Sequence, residues 1–164
     1  MSHNDKLKVS TGKIHSYIGM VFNFTTDTVK IDQIGMVEDI LISTRTAIDE
    51  YITTSLSPDH RTFADKLRII GSTSAKTPAA TYLLNKSPTS PALSENLKCI
   101  FHSAVAKLMF ISNRSRQGLL LAISFLAGRV LFPTEEDWGK LNRVLKYLET
   151  TKMMRLHLGC TTPI

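Results

Sequence analysis

The sequence predicts a mixed α+β protein: a small β-hairpin and one helix, joined by a polar connector to a bundle of three helices. Three observations lead there. In "YIGMVFNF" the residue character alternates with period two, the mark of a strand with one apolar face. From residue 95 onward, apolar residues recur at helical spacing through three successive segments. Between these regions, from Ser72 to Ser94, twelve of twenty-three residues are Ser, Thr or Pro, a composition that buries little surface.

Residues 1–12 read as a polar tail, without the apolar core of a signal peptide. In the strand that follows, Ile18, Met20, Phe22 and Phe24 share one face. "TTDT" makes the turn, and "VKID" returns with Val29 and Ile31 directed inward. In "QIGMVEDILISTRTAIDEYI", Ile34, Val37, Leu41, Ile48 and Ile52 lie on one stripe interrupted by Arg45. That predicts a helix of about 18 residues, weakened by its threonines and serine. "RTFADKLRII" adds a helical turn or two, so this first unit occupies residues 13–70 and the connector residues 71–94.

The helical unit spans residues 95–159, with a short tail at 160–164. Ser94 caps its first helix, whose apolar face holds Leu97, Ile100, Phe101, Ala104, Val105, Leu108 and Met109. Cys99 flanks this face and reads as a small core hydrophobe. After a break at "NRSRQG", the segment "LLLAISFLAGRVLF" is apolar nearly all round and predicts the central helix. Pro133 stops it. Thr134 is placed to cap the last helix, with Asp137 at the third position completing a capping box. Trp138, Leu141, Val144, Leu145 and Leu148 form the buried stripe of that helix.

Charge is uneven along the chain. Residues 1–94 carry ten Lys and Arg against nine Asp and Glu, whereas residues 95–164 carry ten against five. A basic C-terminal half favours an anionic partner such as nucleic acid. The longest apolar stretch, residues 118–128, falls short of the roughly 20 residues a membrane-spanning helix needs, so the reading is an intracellular protein, cytoplasmic or nuclear, with no membrane partner. Two cysteines, Cys99 and Cys160, form no metal or disulfide framework.

Little in the chain points to chemistry. Glu135, Glu136 and Asp137 are consecutive on a helix, hence about 100° apart, and acids at a helix start are explained by the helix dipole and capping. No histidine pair has metal-ligand spacing, and "GKIHSYIG" lacks the spacing of a phosphate loop. No cofactor is implied. What remains is basic: Lys107, Arg114 and Arg116 around a helix–helix junction, and Lys140, Arg143 and Lys146 along the last helix. Composition alone makes these a solvated face, and phosphate contact is the sharper reading.

Four segments, "YIGMVFNF", "TPAATYLL", "FHSAVAKLMFISNRSRQGLLLAISFLAGRV" and "PTEEDWGKLNRVLKYLETT", in that order, are similar to the copia-type reverse transcriptase of LTR retrotransposons. The resemblance covers roughly residues 13–159. It implies that Tyr17, Ile18 and Gly19 match the primer-grip strand, which holds the growing 3′ end. The later helices resemble the thumb and the start of the connection, making Lys107, Arg114, Arg116, Lys140, Arg143 and Lys146 contacts to the backbone of an RNA–DNA or DNA duplex. The first unit then corresponds to a remnant of the palm.

The departures are as informative. The family's paired metal ions, magnesium, are held by an Asp of an early palm strand and by a Tyr-x-Asp-Asp hairpin. Neither occurs here, and the chain has no Asp-Asp pair. The family's Arg-Pro-Asp signature stands as Arg116-Gln117-Gly118, which removes a rigid helix start and its cap. The expectation is a polymerase fragment without catalysis, partnered by duplex and by the absent palm or RNase H parts. The alternative is a helical protein-interaction module, or a retroelement relic without function.

Overall fold

The computed structural model describes residues 11–55, 61–68 and 75–159. The tail before residue 11, His60, the connector up to residue 74, and Cys160 with the C-terminal tail lie outside the described residues.

The architecture is α+β, as expected: an antiparallel sheet of four strands beside a helical assembly. Its strands are β1 (Ile14–Tyr17), β2 (Met20–Phe24), β3 (Thr28–Asp32) and β4 (Leu156–Gly159), in the order β1-β2-β3-β4. The helices are α1 (Ile34–Ser55), α2 (Arg61–Leu67), α3 (Glu95–Ser112), α4 (Leu120–Ala127) and α5 (Glu135–Thr150).

Two features of the sheet differ from expectation. "YIGMVFNF" is not one strand but the tip of a hairpin, because the chain reverses at Ile18 and Gly19, with φ of 47° and 71°. Two successive positive φ values define the tight turn whose twist matches antiparallel strands. Glycine adopts this conformation freely, whereas a β-branched isoleucine is strained in it. The turn breaks the expected alternation: Ile18 leaves the strand, and Tyr17 pairs with Met20 and His15 with Phe22, so Tyr17 and His15 share the apolar face with Met20, Phe22 and Phe24. Second, "LHLG", assigned to the helical unit, forms β4 and pairs with β3, Ile31 opposite Leu156 and Thr28 opposite Gly159. Alternating Leu156 and Leu158 carry the signal, but four residues after a helix are too short for it to stand out.

The helices share one core. Val37, Ile40, Leu41 and Ile48 of α1 are buried in the same cluster as Phe101, Val105 and Leu108 of α3, Ile123 and Leu126 of α4, and the α5 stripe. The first helix therefore packs into the bundle rather than forming a separate lobe with the sheet. The connector also contributes: Leu83 and Leu93 are buried in this core, despite the polar composition around them. Phe101 and Trp138 meet at its centre, ring centroids 6.5 Å apart.

Capping follows the sequence. The Ser94 hydroxyl accepts from the Leu97 amide, and at α5 Thr134 and Asp137 exchange both bonds of a capping box. The junction after α3 is not capped by a side chain. A 3-10 turn, Gln117–Leu119, leads into α4 with no side chain capping it. The central helix is also shorter than its composition suggested. It ends at Ala127 in a turn through Gly128 and Arg129, leaving Leu121, Leu131 and Phe132 exposed. Cys99 is exposed as well, against the core reading. It lies on the flank of α3 beside the apolar stripe, and α1 covers only part of that flank.

Replacing the strained isoleucine in Ile18→Asn places the favoured Asn-Gly pair in the turn. We expect stabilisation by about 1 kcal/mol, read as a higher urea midpoint at unchanged slope.

Candidate nucleic-acid interface

The eight residues singled out in the sequence do not form one surface. Three of them, Gly19, Lys107 and Arg114, are linked through Met36 and Phe110, with Tyr17 in the same hairpin as Gly19. A Cβ added to Gly19 would lie 2.9 Å from Cε of Met36, so the turn presses directly on the first turn of α1. Met36, Asp39 and Ile40 of α1 and Ala106, Lys107 and Phe110 of α3 line a groove of about 420 Å³. The guanidinium of Arg114 stacks 3.6 Å from the ring centroid of Phe110. Its Nη1 donates to the Phe110 carbonyl, 3.3 Å away. Lys107 is exposed, and its ammonium donates to Ser43 Oγ at 2.9 Å. Tyr17 and Ile18 stand out at 64% and 50% exposure. Gly19 thus meets Met36, Lys107 lines the groove with Met36 and Phe110, and Arg114 stacks on Phe110.

The other four divide by burial. Lys140 is 3% exposed. Its ammonium donates to the Asn85 carbonyl, lies 3.0 Å from Glu136 and 4.0 Å from Asp137, and sits 4.8 Å from the Phe125 ring centroid. It is a structural ion, not a phosphate contact. The expected row fails for a geometric reason: each three-residue step falls about 60° short of a full turn, so Lys140 and Lys146 point about 120° apart. Lys140 instead faces the acids one turn earlier. Arg116 is 5% exposed, and its Nη2 donates to the Lys152 carbonyl at 2.8 Å. Burial pushes this guanidinium down from its ordinary range, partly opposed by Tyr147. It ties the α3–α4 junction to the end of α5, so it too leaves the candidate interface.

Arg143 is half-buried and donates to Thr77 Oγ1 at 3.1 Å, holding the connector. Lys146 lies on the rim of a second, separate cleft with Lys66. These two remain available to an anion, but on the connector side of α5, apart from the residues lining the hairpin-side groove.

The acids at the start of α5 are engaged in structure. Asp137 Oδ2 accepts from the Thr134 amide and hydroxyl at 3.0 Å and from Arg129 Nε at 3.1 Å. Glu136 accepts from the Ser87 amide at 2.8 Å and from Lys140. The Lys140 hydrogen bond, then that from Ser87, holds the Glu136 carboxyl below the usual range. Among the described residues there is no group of three or more His, Cys, Asp or Glu that could hold a metal ion. No helix among the described residues is long and apolar enough to cross a membrane.

Met36 and Phe110, which floor the groove, were not marked by the sequence as site residues. Both belong to apolar helical faces, and nothing in their spacing separates them from core. No protein-family model, curated protein or solved structure matches this chain.

Two outcomes follow from this sorting. Lys140→Met leaves two acids beside an apolar side chain, and we expect a loss of about 3 kcal/mol in denaturant unfolding, against less than about 0.5 kcal/mol for Lys107→Gln. Because the folded-state pKa of Glu136 is depressed, its contribution is present above the unfolded pKa, about 4.3, and lost as pH falls through the folded value. Stability measured from pH 6 to pH 2 should therefore fall less steeply in Glu136→Gln.

Proposed function

We propose that this chain is a reverse-transcriptase-like fragment that holds a template–primer duplex by its phosphate backbone and has no polymerase chemistry of its own. The observation that carries the reading is the triplet Tyr17-Ile18-Gly19. The resemblance assigns it to a primer grip, and it forms an exposed, strained hairpin tip in contact with Met36, which lines a groove with Lys107. Backbone strain at an exposed position is characteristic of functional segments. Arg and Lys next to an apolar floor suit contact with phosphates and sugars.

On this reading Tyr17, Gly19, Lys107 and Arg114 make the principal contacts, and Arg143 and Lys146 make secondary ones. The absent palm or RNase H parts of a polyprotein are further partners, in the cytoplasm or nucleus.

A second reading, a protein-interaction module, is favoured by one observation: Tyr17, Phe24 and Leu158 are exposed on the same apolar face of the sheet. Exposed apolar area of this kind marks interaction surfaces.

Titration of a labelled RNA–DNA hybrid separates the two. Backbone binding should weaken steeply from 50 to 200 mM salt and be insensitive to sequence. Lys107→Glu with Arg114→Glu should reduce it by about tenfold or more. Absence of binding at low salt, or binding indifferent to salt, would rule out the first reading. Self-association that persists in Arg143→Glu with Lys146→Glu supports the second.

A further inference from the structure

The sheet carries its apolar residues on one face, and the helices leave much of that face open. His15 and Tyr17 of β1 pair with Phe22 and Met20 of β2. Phe22 and Phe24 pair in turn with Ile31 and Val29 of β3, and these with Leu156 and Leu158 of β4. Residues directly opposite one another stand on the same side of a pleated sheet, so all nine line one surface. None belongs to the helical core cluster, and Ile31 alone of the nine is buried. Apolar surface left open in this way marks a place that something else covers.

The chemistry of the face indicates what covers it. Four of its residues carry rings, grouped on the β1–β2 half. The His15 and Phe24 rings meet edge to face at 5.6 Å, and those of Phe22 and Phe24 lie near-parallel at 6.5 Å. Tyr17, the most exposed of the four at 64%, stands at the hairpin tip. Its partner Met20 is four residues before Phe24, which separates the two ring positions by about 13 Å. The face holds no carboxylate: Asp32 lies on the opposite side with Arg155, and Asp27 sits in the β2–β3 turn. Lys13 is exposed and has no ion-pair partner among the described residues. The Phe24 amide donates to its carbonyl at 2.8 Å, which sets Lys13 opposite Phe24. Size argues against a second protein as the cover. Four short strands make a face of roughly 300 Å², well below the ~800 Å² per partner of a stable protein interface.

We infer that this face is a stacking platform for single-stranded DNA: unpaired bases lie on Tyr17 and on the Phe22–Phe24 pair, and the phosphate backbone runs past Lys13. Bases in a duplex are already stacked on one another, so rings on an open sheet receive a base only from an unpaired strand. Deoxyribose suits the surface better than ribose. His15 Nε2 donates to the Gly12 carbonyl at 2.7 Å, which leaves the Tyr17 hydroxyl as the polar tip of an otherwise apolar face. A 2′-hydroxyl laid against it loses water without gaining a partner. The platform does not rest on the duplex reading, which concerns paired backbone held through Lys107 and Arg114.

Fluorescence anisotropy of the full chain with a labelled oligo(dT) of about ten nucleotides tests it, with oligo(rU) and an RNA–DNA hybrid in parallel. Oligo(dT) should bind saturably at low salt, about threefold or more tighter than oligo(rU). Phe24→Leu keeps the apolar volume and removes the ring, and should weaken binding by about tenfold, whereas Phe24→Tyr should retain it. Lys13→Gln should reduce the salt dependence by about one phosphate contact. Lys107→Gln with Arg114→Gln should leave oligo(dT) binding within about threefold of the parent, so its outcome on the hybrid is read separately. No saturable binding at low salt, undiminished binding in Phe24→Leu, or tighter binding of oligo(rU) would each overturn the proposal. Self-association that Phe24→Leu abolishes would overturn it too, by giving the face to a second copy.

Discussion

The last helix organises this protein. Trp138, Leu141, Val144, Leu145 and Leu148 of α5 are buried in the common core. The polar residues between them hold nearly every irregular segment in place. Trp138 Nε1 and Asn142 Nδ2 take up the carbonyls at the end of α2, Lys140 and Glu136 hold Asn85 and Ser87, Arg143 holds Thr77, and Glu149 pairs with Arg45 of α1 at 2.7 Å. A polar connector with little apolar surface of its own can be ordered because one rigid helix satisfies its backbone groups. The same logic explains why Lys140 of α5 is not part of a binding face. Its ammonium is consumed in holding the chain around it.

Around that helix the sheet is attached at its root and open at its far end. Gln33, buried between β3 and α1, accepts from Ser115 at the α3–α4 junction at 2.6 Å. Arg155 meets Asp32 at 3.5 Å, and Arg116 reaches the Lys152 carbonyl. Ile31 is buried near this root, whereas Tyr17, Phe24 and Leu158 emerge into solvent. The exposed hairpin tip and the groove at Met36 and Phe110 are consequences of that attachment, since it brings the turn onto the start of α1. Function, on either proposed reading, belongs to this open side.

Much was legible because it depends on local rules. The α+β class, the apolar stripes of α1, α3 and α5, the Ser94 cap and the Thr134–Asp137 capping box all follow from periodicity and short-range bonding. So does the reading of the α5 acids as a cap. The uncapped 3-10 start before α4 follows from the residues at Arg116-Gln117-Gly118.

Other features were decided by tertiary contacts between residues distant in sequence. Whether a lysine on a helix is solvated or buried depends on what crosses it: Phe125 and Asn85 settle the fate of Lys140, and Lys152 that of Arg116. Pairing of β4 with β3 joins segments more than a hundred residues apart, and four residues of alternation carry too little information to announce it. By itself the sequence determined the elements and their inner faces, because periodicity and capping act within a few residues. The tertiary structure alone decided which polar side chains remain free to bind, because desolvation and hydrogen-bond partners exist only once the elements have packed.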